Sequence, residues 1–330
     1  MSGRPSIRRA SAFGVAIASL ALLAGCATTP ATEAAPEESK TQAPTEVTIT
    51  DNHGEITVPV APKSVVALDN TVMQTLSDWD ITLAAAPKGV MGTVWPEYTD
   101  DENVLDIGNH REPNFENVVA AAPDLIIGGH RFASHYDALK DLATTIELTP
   151  REGETHIAEL VRETELLGQV FNREDDATAL VKALETAVAD AKANYDGTAT
   201  VTGLITSGGK INYAAPGEGR GVGSLFETLG LVPAIDAEGS TDHTGDEISV
   251  EAIAAANPEW LIVLDRDGAF QEDGYIAAKE LIEGSEALKN VPAVAKGQIV
   301  YLDANFYLTE GIQAYTDLYA AVAEAFADAK

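Results

Sequence analysis

Two stretches of this chain repeat one another at an offset of 135 positions: Asn114-Phe-Glu-Asn-Val-Val-Ala-Ala-Ala-Pro-Asp-Leu-Ile-Ile127 and Ser249-Val-Glu-Ala-Ile-Ala-Ala-Ala-Asn-Pro-Glu-Trp-Leu-Ile262. Each reads as a short helix opened by Asn or Ser as N-cap, with Glu at its second position and a Pro that breaks it before a buried strand. A chain that uses this unit twice is built from two similar lobes. At the same offset Arg131 falls on Arg266, so each lobe places an arginine just past the C-terminal end of an equivalent strand. In open α/β sheets that end is where ligands bind.

The rest of the body agrees with an α/β fold. Ser64-Val-Val-Ala-Leu68, Ile81-Thr-Leu-Ala84, Asp124-Leu-Ile-Ile127, Thr200-Val-Thr-Gly-Leu-Ile205, Trp260-Leu-Ile-Val-Leu264 and Gln298-Ile-Val-Tyr-Leu302 are short buried-strand candidates separated by helical stretches. That alternation indicates parallel sheets. Val47-Thr-Ile-Thr and Glu55-Ile-Thr-Val alternate around Asp51-Asn-His-Gly54, a hairpin signal. Residues 156–195 contain almost no Gly or Pro and carry apolar residues at helical spacing, which predicts one long helix or two abutting ones with a break near Asn172. The expected organisation is a leader (1–25), a tether (26–46), an N-terminal lobe (47–155), a linking helix (156–195) and a C-terminal lobe (196–330).

Charge narrows the partners. The 330 residues include 52 acids and 21 bases, a formal net charge of −31, and three of the arginines sit in the leader. Nucleic acid is excluded as a partner, because no excess of Lys and Arg exists to displace phosphate counterions. The single cysteine, Cys26, rules out an intramolecular disulfide and a multi-cysteine metal site.

That cysteine closes a three-part leader: basic Arg4, Arg8 and Arg9, an apolar run from Ala12 to Leu23, then Leu23-Ala24-Gly25-Cys26. The pattern resembles a bacterial lipobox, which implies that Cys26 is lipidated and anchors the protein on the extracytoplasmic face of the cell membrane. The Ala/Thr/Pro/Glu-rich residues that follow lack large apolar side chains and predict a disordered tether.

Gly129-His-Arg131, Ser207-Gly-Gly-Lys-Ile-Asn-Tyr213 with Pro216-Gly-Glu-Gly-Arg220, His243, Val263-Leu-Asp-Arg266 and Tyr301-Leu-Asp303 leading into Tyr307-Leu308 complete a pattern. Across residues 47–328 the chain resembles the substrate-binding lipoproteins of ABC importers, in the class with two Rossmann-like lobes joined by one rigid helix that serves iron-siderophore and cobalamin uptake. The catecholate-siderophore branch is the nearest in motif. The resemblance implies a monomeric binding protein rather than an enzyme, with no intrinsic cofactor. Iron(III) would arrive inside the siderophore, held by Arg131, Arg220 and Arg266. His243 and Tyr307 are implied as further ligand-binding residues and possible iron ligands, with Asn305 as the alternative to Tyr307 if the local alignment slips by two. Glu116 and Glu251 are implied to dock the permease of the importer, which works with its ATPase.

Independent chemistry favours the arginines. A ferric tris-catecholate carries three negative charges, and planar guanidinium groups donate to several of its oxygens without competing for the iron. The same fold could instead bind a hydroxamate siderophore, haem or cobalamin. A siderophore-modifying enzyme or a surface adhesion lipoprotein are the readings from other classes. His130 and His135 lie close together, yet no His-Glu-x-x-His spacing supports direct metal capture. Gly217-Glu-Gly-Arg-Gly-Val-Gly223 lacks the endings of a nucleotide loop, and its glycines are expected to let backbone approach a bulky ligand.

Overall fold

The computed structural model describes residues 45–330. The leader, Cys26 and the tether as far as residue 44 lie outside them. The first described element is the strand Glu46–Asp51, which pairs antiparallel with Gly54–Pro59 across a two-residue turn at Asn52 and His53.

Two sheets follow. In the first, the strands run in the order Leu105–Asp106, Leu83–Ala86, Val65–Ala67, Leu125–Gly128, Thr145–Glu147, all parallel. In the second the order is Asp246–Glu247, Lys210–Ala214, Thr200–Ser207, Trp260–Asp265, Ile299–Tyr301, with Val232–Pro233 also pairing with Thr200–Ser207. The central pairs are parallel, whereas Thr200–Ser207 and Lys210–Ala214 form an antiparallel hairpin. Its turn is Gly208-Gly209, both with positive φ (59° and 72°), the conformation a tight hairpin needs.

The central strands are apolar on both faces because both faces are covered. Val65 and Ala67 with Leu125 and Ile127 enter one core, while Val66 and Ile126 enter another on the opposite side. The second sheet repeats this: Val201, Ile205, Ile262 and Leu264 face one core, and Leu204, Leu261 and Val263 the other. Each of these valine, leucine and isoleucine side chains contributes roughly 1.5–3 kcal/mol by leaving water. The repeat seen in the sequence therefore has a structural counterpart. The helices Phe115–Ala120 and Val250–Ala256, capped by the Asn114 and Ser249 side chains, precede the strands Leu125–Gly128 and Trp260–Asp265.

Of the two possibilities for residues 156–195, the chain takes the broken one: helices His156–Phe171 and Glu174–Asn194. Asn172 adopts the left-handed conformation (φ 55°, ψ 47°) and ends the first. The second then folds back so closely that a side chain at Gly168 would meet the Ala177 methyl at 2.7 Å. Both helices reach from one half to the other. Leu160 packs in the core of the second sheet and Leu166, Leu167 and Val170 in that of the first; returning, Ala177 packs in the first and Leu184, Val188 and Ala191 in the second. The C-terminal helix Ile312–Asp328 lies along Glu174–Asn194 and fills the second core with Tyr315, Leu318, Tyr319, Val322 and Phe326. Its first turn also touches the first half, where Gln313 bonds Thr75 Oγ1 (3.1 Å) and Asp78 Oδ2 (3.1 Å).

Among the described residues no helix is long and apolar enough to cross a membrane.

Candidate functional site

The equivalent strands of the two sheets end in the same way. After Leu125–Gly128 the chain turns through Gly129 (φ 151°) into a 3-10 segment, His130–His135, that carries Arg131. After Trp260–Asp265 it turns at Arg266 into the 3-10 segment Asp267–Ala269. Arg220 lies in the glycine-rich loop between Lys210–Ala214 and the helix Gly223–Leu229. Gly217, Gly219 and Gly221 line the cavity beside Arg220, and two of the loop's glycines also have a local purpose. Side chains at Gly219 and Gly223 would strike the backbone of Ala214 (2.5 Å) and Ala215 (2.7 Å), so they let the loop fold down onto its own strand.

These three segments converge on one ring. The guanidinium carbons of Arg131, Arg220 and Arg266 lie 5.9, 4.2 and 5.0 Å from the centroid of Tyr307, all within cation–π range. Tyr307 belongs to the short helix Phe306–Thr309 and is 5% exposed. Phe270 stands edge-on to it at 5.9 Å, is itself 41% exposed, and lies 5.7 Å from the Arg266 guanidinium. Asn305 is exposed just before that short helix.

Around Tyr307 opens a cavity of about 570 Å³, lined among others by His130, Arg131, Arg220, Leu308 and Glu310, a size suited to a small-molecule ligand. Arg266 borders a second cavity of about 430 Å³ with Phe270, Tyr275 and Ile276.

The arginines are unequal. Arg220 donates from Nε to both oxygens of Glu310 (2.8 and 3.0 Å) and from Nη2 to Oε2. Burial works against its charge, but the Glu310 hydrogen bonds and charge prevail and hold its pKa above the usual arginine value. Arg266 donates from Nη1 to Asp267 Oδ1 at 2.6 Å, and its buried Nε has no partner. Arg131 enters no ion pair among the described residues.

His243 is about half exposed, with Nδ1 3.8 Å from Asp242 Oδ1. Burial and then the positive charge of Arg266 pull its pKa below the usual histidine value, with Arg220 and Arg131 adding to the effect and Asp242 opposing it. The three arginines thus bear on His243 as well as on Tyr307, and their charge favours the neutral imidazole, which has a free lone pair.

The cavity floor is acidic and buried. Asp69 caps the helix Asn70–Asp78 through Thr71 N (3.1 Å), and Thr71 Oγ1 donates to Glu163 Oε2 (3.1 Å). Burial, then the neighbouring Asp69 charge, pushes the Glu163 carboxyl up. Glu159 is spent on Arg151 and Arg162. His156 packs against Tyr315 with ring centroids 4.3 Å apart and the planes tilted by 58°, and burial pulls its pKa down to about 4.

Glu116 and Glu251 lie away from this cavity's lining, exposed in the first turns of their two equivalent helices. His135 does not join His130 in a ligand cluster. It packs against Phe115 and Phe132, its Nε2 2.8 Å from His110 O. No group of three or more potential metal ligands occurs among the described residues.

Sequence reasoning missed Glu310, Phe270 and the Asp69–Thr71–Glu163 floor. Glu310 carried one weak signal, an acid beside Gly311 between two helical segments.

A family model described as periplasmic binding protein matches residues 65–306. The petrobactin-binding protein YclQ of Bacillus subtilis is 30% identical over 257 residues, 77% of this chain and 79% of that protein. The ferric-anguibactin-binding protein FatB of Vibrio anguillarum is 25% identical over 304 residues, 90% and 91% of the two chains. The crystal structure of YclQ superposes with a TM-score of 0.71 at 26% identity, covering 85% of this chain and 98% of that one.

Proposed function

This chain belongs to the periplasmic binding protein family, and on that premise we propose that it is the extracytoplasmic receptor of an ABC importer, which holds a ferric siderophore at Arg131, Arg220 and Arg266. It is a binding protein and not an enzyme, as its relatives are. The observation that carries the reading is the convergence of three guanidinium groups on Tyr307, drawn from three separate segments. Cations this close repel one another, and a site that holds them together is suited to a ligand carrying several negative charges. Catecholate oxygens around iron(III) supply such charges in a form that arginine forks can meet from several directions.

An overall acidic chain can still receive an anion. Charges beyond the screening length of about 8 Å at physiological salt are damped, so the nearby arginines dominate. Iron comes with the ligand and no resident cofactor is needed. His243 and Tyr307 are the side chains suited to reach the iron when the siderophore leaves coordination positions open.

Glu116 and Glu251 occupy matched, exposed positions, one in each half, and are proposed as the contacts to the permease and through it to the ATPase. Lipidated Cys26 would hold the receptor at the membrane.

The test is a titration of the purified protein, followed by its tryptophan emission, with a ferric tris-catecholate, a ferric trihydroxamate, haem and cobalamin. Submicromolar saturation by the catecholate is expected. Saturation by another of the four alone overturns the ligand class, and saturation by none overturns the reading.

A further inference from the structure

One of the three arginines already has a carboxylate in its fork. Glu310 meets Arg220 at Nε and Nη2, the two nitrogens that would receive a planar anion side-on, and lines the same cavity. The pair is largely enclosed, the two side chains being 22% and 15% exposed, so solvent does little to weaken it.

Glu310 is also held in place. It sits between the helices Phe306–Thr309 and Ile312–Asp328 in the left-handed region (φ 41°), unusual for a residue with a side chain. Its N–H donates to Phe306 O at 3.1 Å. Gly311 after it lies so close to Thr71 that an added methyl would sit 2.2 Å from that carbonyl oxygen. The carboxylate is thus delivered to Arg220 by a segment wedged between the two halves.

Resting on the siderophore reading above, we propose that Glu310 is a resident counter-anion that sets the charge of the ligand the cleft accepts. With Arg220 neutralised by Glu310 and Arg266 partnered by Asp267, Arg131 is the arginine whose charge no carboxylate offsets among the described residues. The Glu310 charge therefore lowers the preference of the cleft for a trianionic complex over ferric complexes bearing fewer negative charges. Removing the Glu310 charge changes the affinity for a trianion more than for a monoanion, because the same lost repulsion is multiplied by the ligand charge.

The experiment compares two preformed complexes on wild-type protein and on Glu310→Gln: iron(III) with a hexadentate tris-catecholate, of charge −3, and iron(III) with a tetradentate bis-catecholate, of charge −1. The ratio of their dissociation constants is the readout. E310Q is expected to move that ratio toward the tris-catecholate by at least tenfold. An unchanged ratio, or equal weakening of both complexes, overturns the proposal and leaves Glu310 a residue that merely positions Arg220. Should E310Q fail to fold, Glu310→Ser removes the same charge with a smaller polar side chain. It must shift the ratio in the same direction, and no shift overturns the proposal. If wild-type protein binds neither complex, it is the siderophore reading itself that fails.

Discussion

Arg131 and Arg266 follow equivalent strands of two different sheets and meet at a single ring, their guanidinium carbons 5.9 and 5.0 Å from the Tyr307 centroid. An internal repeat thus brings one arginine from each sheet to the same ring, and Arg220 adds a third. The three arginines differ in what their loss would do.

Arg131→Ala and Arg266→Ala should each weaken siderophore binding by about 1.5–3 kcal/mol, the range for a hydrogen bond to a charged group, with little change in thermal stability. Isothermal titration of each variant checks this, and wild-type affinity in both would remove them from the site.

Arg220→Ala should behave differently. It strands the Glu310 carboxylate in a largely buried position, so the unliganded protein should lose on the order of 3 kcal/mol of stability as well as its affinity. Chemical denaturation of R220A beside R266A would reveal the contrast.

Glu116→Ala and Glu251→Ala should leave ligand affinity intact and lower permease-dependent uptake. Both are exposed first-turn residues, and their favourable effect on a short helix amounts to about 0.3–1 kcal/mol. Uptake at the wild-type rate in cells carrying the double variant would exclude docking through these residues.

Stability should respond to acid through His156. Its folded-state pKa is pulled down to about 4, so below the ordinary value near 6.5 the unfolded chain binds the proton that the native state resists. Stability from this group is full above that value and falls as pH drops toward 4, by on the order of 1–3 kcal/mol. Glu163 acts in the opposite sense. Its raised pKa keeps it protonated in the fold, so its contribution fades as pH rises past the usual carboxylate range. Denaturation midpoints across pH should show the acid limb flattened in His156→Phe and the decline between about pH 4.5 and 8 flattened in Glu163→Gln.

Gly311→Ala should destabilise the protein by about 1–3 kcal/mol, since the new methyl would overlap the Thr71 carbonyl. A midpoint equal to wild type in thermal unfolding would show that the contact between the halves yields.

Some of this was legible in residues and some was not. The paired units at Asn114 and Ser249 announced themselves because caps, a breaking Pro and a run of branched residues are all local signals. Arg131 and Arg266 followed from them by position. Arg220 carried no such mark and was reached only through resemblance. The strand Lys210–Ala214 was missed as a strand because Gly208-Gly209 reads as a loop until its partner strand is known. The break at Asn172 was visible, but its consequence was not. Whether the second helix continues or folds back depends on the absent side chain at Gly168, a contact made only in three dimensions. Glu310 was hidden by composition: among 52 acids, one more before a helix looks like surface, and only the folded cleft shows it facing Arg220.

The two halves are joined by more than a single span. Two helices pass between the cores in opposite directions, and the start of the C-terminal helix is fastened to Thr75 and Asp78. Such a triangulated joint resists both twisting and bending. The separation between Glu116 and Glu251 is then expected to change little when the cleft fills. A membrane partner that reads this separation would recognise empty and loaded receptors alike, and would have to sense the cargo at the cleft mouth, through the charge that the ligand brings there.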